Sequence, residues 1–366
     1  MKNHKDISYL QMAYSLAEKA KGWASPNPYV GAVIVKRGII VGYGYHEKPG
    51  KPHAELIALQ KAGTLSRNST AYITLEPCVH WGRTPPCVES LLQARHKRVV
   101  ISALDPNPLV FKKGVRRMRQ AGIEVIVGLL EEKNKRLNEI YLKYITKKLP
   151  FVVAKAAISL DGKIATKNFN SRWISSSQTR EYMHLLRGEY DAIMVGINTL
   201  IKDDPLLTIR HRNWKGKKIM RIILDSRLRF PLNSRILSTL SQGKILVFTL
   251  RTASPKKAEA LRKKGVDIVF LPRTSSKVDL KEVLAWLGQN EIASVFVEGG
   301  RLLLTSMLEK MLIDKIFLSI SPKLIGGEKA PSLFQGKGAG CIKDSFLLER
   351  INSFQIDKDI IFEGYF

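Results

Sequence analysis

The sequence predicts an α/β protein of two domains, each a sheet covered by helices. Three observations carry this expectation. Apolar runs of strand length alternate with amphipathic runs of helix length along the whole chain, the pattern of sheets layered with helices. A charged pair and a proline, Lys147-Lys148-Leu149-Pro150, interrupt the alternation. And 366 residues are long for one core and suit two.

In the first half, residues 8–21 place Leu10, Ala13, Tyr14, Leu16 and Ala17 at helical spacing. Ser25-Pro26-Asn27-Pro28 is a loop, and strands at 30–35 and 39–43 form a hairpin about Arg37-Gly38. A helix begins at Pro52-His53-Ala54-Glu55 and runs to about residue 62. A strand at 71–75 delivers Glu76-Pro77-Cys78, and Cys87 opens an apolar stretch over 88–94 as a helix start. Strands at 99–103 and 123–127 follow, and one long helix over 131–147 closes the half. The expected architecture is a three-layer α/β sandwich.

The second half predicts strands at 151–158, 191–195, 221–224, 245–249, 266–271, 294–297, 316–319 and 360–365. Helices fall after a serine cap at 175–177 and over 254–264, 280–288 and 301–311. Lys155 lies inside an apolar strand, where a lysine is costly unless it has a task or a partner. No Gly-x-Gly-x-x-Gly fingerprint occurs. Glu298-Gly299-Gly300 before a helix is still a seat for a diphosphate, because free N–H groups and the helix dipole attract anions.

No apolar run approaches the roughly 18 residues that span a membrane, and the N-terminus lacks the pattern of a signal peptide. Three cysteines exclude a disulfide framework and fit a reducing cytoplasm. The net charge of +28 suggests nucleic-acid binding. Its distribution argues otherwise: residues 1–149 and 150–366 carry +14 each, a compositional bias rather than a binding stripe.

The chemistry concentrates at His53-Ala54-Glu55 and at Glu76-Pro77-Cys78-Val79-His80-Trp81-Gly82-Arg83-Thr84-Pro85-Pro86-Cys87. One imidazole and two thiolates are a zinc set that leaves a fourth position for water, which zinc then acidifies. One zinc per chain is expected, held by His53, Cys78 and Cys87. Glu55 is spaced to move protons without ligating. The order His-x-Glu, Pro-Cys, Cys matches the zinc-deaminase signature. Ordinary buried thiols are the plain alternative, but two of only three cysteines fall in this one loop of turn residues.

That signature has two residues between its cysteines; here there are eight, with His-Trp-Gly-Arg-Thr-Pro-Pro among them. The long form resembles the bifunctional deaminase/reductase family of riboflavin biosynthesis. Gly42-Tyr43-Gly44-Tyr45-His46, Gly50-Lys51-Pro52-His53-Ala54-Glu55 and Asp105-Pro106-Asn107-Pro108 match its deaminase half. Lys155-Ala156-Ala157-Ile158-Ser159-Leu160-Asp161-Gly162-Lys163, Ser171-Arg172-Trp173-Ile174, Val195-Gly196-Ile197-Asn198-Thr199, Asp203-Asp204-Pro205-Leu206-Leu207-Thr208-Ile209-Arg210, Val297-Glu298-Gly299-Gly300 and Pro322-Lys323-Leu324-Ile325-Gly326-Gly327 match its reductase half. Val79 stands where the family usually has Ser, and Phe111-Lys112-Lys113 where it has a small residue and a glycine.

The resemblance implies a cytidine-deaminase-like sandwich over 1–148 and a dihydrofolate-reductase-like domain over 151–366. It implies that Asn27, His46, His80, Arg83, Asp105 and Asn107 hold a pyrimidine ribose phosphate in the first half. In the second, Ser171, Arg187, Leu207, Arg210 and Glu298 would hold substrate, with Lys155 beside the reaction centre. NADPH would lie near Ala157, Trp173, Thr199, Asp203, Ser226, Gly300, Arg301, Leu302, Leu303, Leu304, Thr305 and Ser306. The residues alone leave alternatives open. Asp105 and Asn107 read equally well as turn formers, His46 as a strand-end surface residue, and Arg187 and Arg210 as solvated charge. The expected function is zinc-dependent deamination of a diaminopyrimidinone ribose phosphate, then NADPH reduction of the ribosyl group to ribityl. Small phosphorylated pyrimidines are the expected partners, with no nucleic-acid substrate and no membrane, in a cytoplasmic homo-oligomer. A nucleic-acid deaminase and a binding protein without catalysis are the rivals. The cysteine spacing argues against the first, and the retained His53, Glu55, Cys78 and Cys87 against the second.

Overall fold

The computed structural model describes residues 2–81, 85–272 and 275–366. Contacts divide the chain into two compact units, Met1–Lys148 and Leu149–Phe366.

The first unit opens with helix α1 (Lys2–Ala17), which starts earlier than its apolar spacing suggests and continues into a 3-10 turn over Glu18–Ala20. Strands β1 (Gly31–Lys36) and β2 (Ile39–Tyr45) form the expected hairpin. Arg37 and Gly38 both have positive φ, the geometry of a two-residue turn that matches strand twist. Helix α2 (Ala54–Ala62), β3 (Thr70–Leu75), α3 (Cys87–Gln93), β4 (Arg98–Ala103), α4 (Lys113–Gln120), β5 (Glu124–Val127), α5 (Glu131–Leu137) and α6 (Glu139–Lys147) follow. The sheet order is β2-β1-β3-β4-β5, antiparallel through β3 and parallel beyond it. Successive strand residues face opposite layers. Ile34, Ile73 and Ile101 pack with Ala58, Leu91 and Met118 on one face, while Val33, Tyr72 and Val100 pack with Leu10 and Ala13 on the other. This is the three-layer sandwich.

Two elements differ from expectation. The helix expected over 131–147 is broken at Asn138. The Asn138 side chain accepts from Tyr29 N at 2.7 Å and donates to Tyr29 O at 3.2 Å, a pairing that fixes it at the junction between α5 and α6. Helix α4 was not expected. It has few apolar residues and its buried positions are Gly114, Val115 and Met118.

The second unit holds β6 (Phe151–Ser159), α7 (Ser177–Arg187), β7 (Ala192–Gly196), α8 (Ile197–Asp203), β8 (Met220–Leu224) and β9 (Ile245–Leu250). Then come α9 (Pro255–Lys263), β10 (Val266–Leu271), α10 (Leu280–Gln289), β11 (Ser294–Val297), α11 (Arg301–Glu309), β12 (Lys315–Ser321), β13 (Glu349–Ile356) and β14 (Asp359–Tyr365). The order is β10-β9-β8-β7-β11-β6-β12-β14-β13. Strands are parallel from β10 to β12, and β14 and β13 are antiparallel. Ile222 and Leu246 face one core and their neighbours Ile223 and Val247 the other, so both faces are covered. As expected, a serine caps α7: Ser176 accepts from Thr179 N. Ser254 caps α9 with a proline in its first turn. The short α8 and the edge strand β13 were not expected. Strand β13 is exposed along most of its length and lacks the alternation of a half-buried strand.

Candidate functional site

In the first unit, two glycines set the position of α2. A Cβ on Gly42 would lie 2.2 Å from Ala58 O, and one on Gly44 would lie 2.7 Å from Ala54 O. Their absence of side chains, with Ala54 and Ala58 opposite, lets the helix backbone rest on β2. His53 is therefore held at the helix N-cap and Glu55 in its first turn. Strand β3 ends just before Cys78, and Cys87 is the first residue of α3.

These elements bring His53, Cys78 and Cys87 together, with donor atoms all within 4.8 Å of one another. His53 Nδ1 lies 3.2 Å from Cys87 Sγ and 3.6 Å from Cys78 Sγ. A tetrahedral zinc with bonds of about 2.0–2.3 Å holds neighbouring ligands about 3.5 Å apart, so the N/S/S set fits the metal. Cys87 N also donates to Cys78 Sγ at 3.4 Å. The Cys87 contact, then the His53 ring, brings the Cys78 thiol down to about 4 against the effect of burial. The same contact, and burial, push Cys87 up. Glu55 is 4% exposed, and burial raises its carboxyl above the usual range. A carboxyl that holds a proton more readily suits a group meant to receive one.

His46 is buried rather than a surface residue. Its Nδ1 faces Pro52 O at 3.2 Å and its Nε2 faces Asn27 Nδ2 at 3.0 Å. The carbonyl can only accept, so Nδ1 carries the proton and Nε2 accepts from Asn27. His46 also meets the His53 ring edge-on at 5.1 Å. Among the described residues His80 Nδ1 is buried with no hydrogen-bond partner, an atom that a ligand can satisfy. Arg83 lies outside the described residues. Val79 packs against the apolar core, a use open to Val and poor for Ser.

Asp105 and Asn107 do form a turn: Asn107 N donates to Asp105 Oδ1 at 2.9 Å, and Leu109 N to Asn107 Oδ1 at 3.0 Å. Tyr141 OH donates to the Asp105 carboxylate at 2.9 Å, and burial lifts Asp105 to about 6. Sequence reasoning gave Glu76 no role. Its buried carboxylate accepts from Lys112 N at 3.0 Å, Val115 N at 3.1 Å and Asp105 N at 3.4 Å. It ties the turn that carries Cys78 to the loop that carries Asp105. A glutamate at a strand end two residues before a ligand was the available signal. Gly114 makes the same junction tight, since a Cβ there would lie 2.6 Å from Pro77 O. Gly114→Ala is expected to destabilise the first unit by about 1–3 kcal/mol and to lower zinc content. A melting curve and metal analysis measure both, and an unchanged pair removes the junction.

In the second unit, the register pairs Val297 with Ala154, so Glu298, just past the end of β11, lies beside Lys155, which stays within β6. Arg187, at the end of α7, forms a two-pronged pair with Glu298: Nε donates to Oε1, and Nη2 to Oε2 at 2.6 Å. Its Nη1 donates to Thr208 O at 3.0 Å. Arg187 is therefore not a solvated surface charge. Burial would raise Glu298, but Arg187 and then Lys155 bring it down to about 2. Lys155 is half-buried, and burial lowers its ammonium, with Glu298 opposing and Arg187 adding. Arg210 is exposed, and its fork meets the His184 ring.

Gly300 is the N-cap of α11 and offers no side-chain cap, which leaves the N–H groups of Arg301 and Leu302 for an anion, while Leu303 N donates to Gly300 O. A Cβ on Gly300 would lie 3.8 Å from Thr199 Oγ1, so these two expected residues adjoin at the ends of neighbouring parallel strands. Such strand ends are where ligands of open α/β sheets bind. This bare cradle fits a dinucleotide diphosphate. Leu304 is in the core and the Thr305 hydroxyl accepts from Gln335 N, so neither side chain is open to a ligand. Ser226 Oγ accepts from Val278 N at 3.0 Å. Arg172 Nη2 donates to Asp203 O at 3.3 Å, and the Arg180 guanidinium lies 4.3 Å over the exposed Trp173 ring. Ala157 lies on β6, Ser171 is exposed, and Leu207 is buried with φ of 51°.

Comparison with known proteins matches two parts of the chain to family models. Residues 3–103 match the family model described as the cytidine and deoxycytidylate deaminase zinc-binding region. Residues 150–362 match the RibD C-terminal domain. The riboflavin biosynthesis protein RibD of Aquifex aeolicus is 47% identical over 88% of this chain and 88% of its own length. That of Actinobacillus pleuropneumoniae is 40% identical over 98% and 94%. Among solved structures, Acinetobacter baumannii RibD, form 1, has a TM-score of 0.89 at 35% identity and covers 99% of both chains. A Thermotoga maritima protein described as a diaminohydroxyphosphoribosylaminopyrimidine deaminase/5-amino-6-(5-phosphoribosylamino)uracil reductase has a TM-score of 0.87 at 34% identity, covering 100% of this chain and 99% of its own. The family that the sequence motifs resemble is thus the one that its relatives share, and the chain belongs to the riboflavin biosynthesis protein RibD family.

Proposed function

We propose that this chain performs two successive steps of riboflavin synthesis, with residues 1–148 as the deaminase domain and 151–366 as the reductase domain. The first step replaces the amino group of a diaminopyrimidinone ribose phosphate with oxygen from water. Zinc, when bound by His53, Cys78 and Cys87, supplies a water-derived nucleophile at neutral pH. Glu55 takes the proton that water gives up and delivers it to the departing amine, so a C–O bond forms, the C–N bond breaks and ammonia leaves. Asn27, His46, His80, Arg83, Asp105 and Asn107 hold the pyrimidine and its ribose phosphate. His46 is fixed in one tautomer by Pro52, so it presents the same edge in every turnover.

In the second step the ribosyl group becomes ribityl. NADPH supplies the hydride, and the protein supplies orientation and charge. Lys155 stands beside the reacting sugar and holds a proton at Nζ. Glu298 keeps Arg187 aligned, and Arg187 and Arg210 face the substrate phosphate, with Ser171 and Leu207 completing the substrate site. Ala157, Trp173, Thr199, Asp203, Ser226 and the start of α11 hold the cofactor.

The observation that carries the reading is the His53–Cys78–Cys87 set beside the buried Glu55. No described helix is long and apolar enough to cross a membrane. The chain works in the cytoplasm on small phosphorylated pyrimidines, as a homo-oligomer. One zinc-loaded sample tests the function. It should release ammonia from the diaminopyrimidinone phosphate and consume NADPH with the deaminated product. It should release none from cytosine or adenine in an oligonucleotide. Ammonia from the oligonucleotide alone would move the function to a nucleic-acid deaminase.

A further inference from the structure

His184 lies one turn before Arg187 on α7 and has no part in the function described so far. Its ring stands between two guanidinium groups. Nδ1 is 3.1 Å from Arg187 Nη1. Nε2 is 3.0 Å from Arg210 Nη2 and 3.4 Å from Arg210 Nε. A neutral imidazole has one donor and one acceptor nitrogen, and a protonated one has no acceptor. Protonation is opposed here: burial, then Arg187 and Arg210, bring His184 down to about 3. One ring nitrogen therefore accepts from an arginine, while the other directs its N–H at an arginine N–H.

The other partners decide which is which. Arg187 already gives three N–H groups to Glu298 and Thr208 O. Among the described residues, every hydrogen bond of Arg210 goes to the His184 ring. The lone pair thus belongs on Nε2, shared by two N–H groups of Arg210. A single neutral acceptor is a weak partner for a guanidinium. A phosphate offers several charged oxygens in a matching fork, and such bonds are about twice as strong.

We propose that His184 is a positioning residue for substrate phosphate: its neutral ring holds the exposed Arg210 beside Arg187 and yields it when a phosphate arrives. This rests on the reading that the second unit reduces a ribosyl phosphate. An arginine held in place has already given up most of its rotamer freedom, so less is lost on binding. The ring never touches the reacting carbon, and its effect belongs to affinity rather than to the chemical step.

The test uses the full chain with NADPH and two deaminated substrates, one with its phosphate and one without. In His184→Leu, KM for the phosphorylated substrate should rise about tenfold, as an order of magnitude for one preorganised contact, with kcat within about twofold of the parent. KM for the dephosphorylated substrate should not move. His184→Gln keeps an acceptor oxygen and should restore most of the affinity. Equal KM rises for both substrates would show a merely structural role and overturn the proposal. A lower KM in His184→Leu would overturn it too, since the ring would then compete with phosphate. Calorimetry with ribose 5-phosphate separates failure of the proposal from failure of the reductase reading. A parent chain that reduces neither substrate defeats that reading, while weaker sugar-phosphate binding in His184→Leu than in the parent still supports the role of His184. Equal binding overturns it.

Discussion

Glu55→Gln keeps its zinc and loses ammonia release by about a thousandfold, within the hundred- to ten-thousandfold range of a general acid–base group. Gln matches Glu in size, so the first turn of α2 and the His53 N-cap have no steric reason to move. The amide cannot accept a proton from water or pass one to the amine. Both proton transfers of the reaction depend on this one carboxylate, which places the loss well above the lower limit. The side chain is only 4% exposed, so bulk water is poorly placed to substitute. Metal analysis beside an ammonia assay checks both parts. Near-normal turnover in a zinc-loaded variant removes Glu55 from the mechanism, and loss of the metal would mean that Glu55 supports the ligand set itself.

What was legible in the sequence follows from how local its physical cause is. His53, Cys78 and Cys87 could be read because imidazole and thiol are few in this chain and strong in metal chemistry. The hairpin at Arg37-Gly38 and the serine cap at 175–177 were legible because each is a local rule about φ or a backbone N–H. Features fixed by distant partners were not. Asn138 reads as part of a continuous helix until its amide is seen paired with Tyr29, 109 residues away in sequence. Helix α4 is masked by its charge, and its start is tied down by Glu76 across 36 and 39 residues. Strand β13 shows no pattern because most of its positions face outward. The Arg187–Glu298 pair spans 111 residues, so a surface reading of Arg187 could be overturned only by the fold.

Cys78→Ser stops deamination and leaves NADPH-dependent reduction of supplied deaminated substrate intact, whereas Glu298→Gln does the reverse. Serine keeps the size of cysteine but gives zinc no thiolate. Loss of a direct ligand exceeds the ten- to hundredfold cost typical of disturbing a ligand's own support. The groups proposed for hydride transfer are arranged within residues 149–366: Lys155 beside Glu298 through the sheet register, and Arg187 on Glu298 and Thr208. None of those contacts involves Cys78. In Glu298→Gln the shape survives and the charge does not. Arg187 and Lys155 then face each other in a half-buried site with no carboxylate between them. Breaking such a pair from one side costs about 2–5 kcal/mol because the remaining charge is left uncompensated. Reduction should therefore fall by about a hundredfold, a loss of about 2.8 kcal/mol at roughly 1.4 kcal/mol per tenfold. Lys155→Met should fall similarly, since the proton held at the sugar disappears. NADPH oxidation and ammonia release, measured on the same folded variants, give the crossed pattern. If folded Cys78→Ser loses reduction of the deaminated substrate as completely as it loses ammonia release, the two reactions share one site and the two-catalyst reading is wrong.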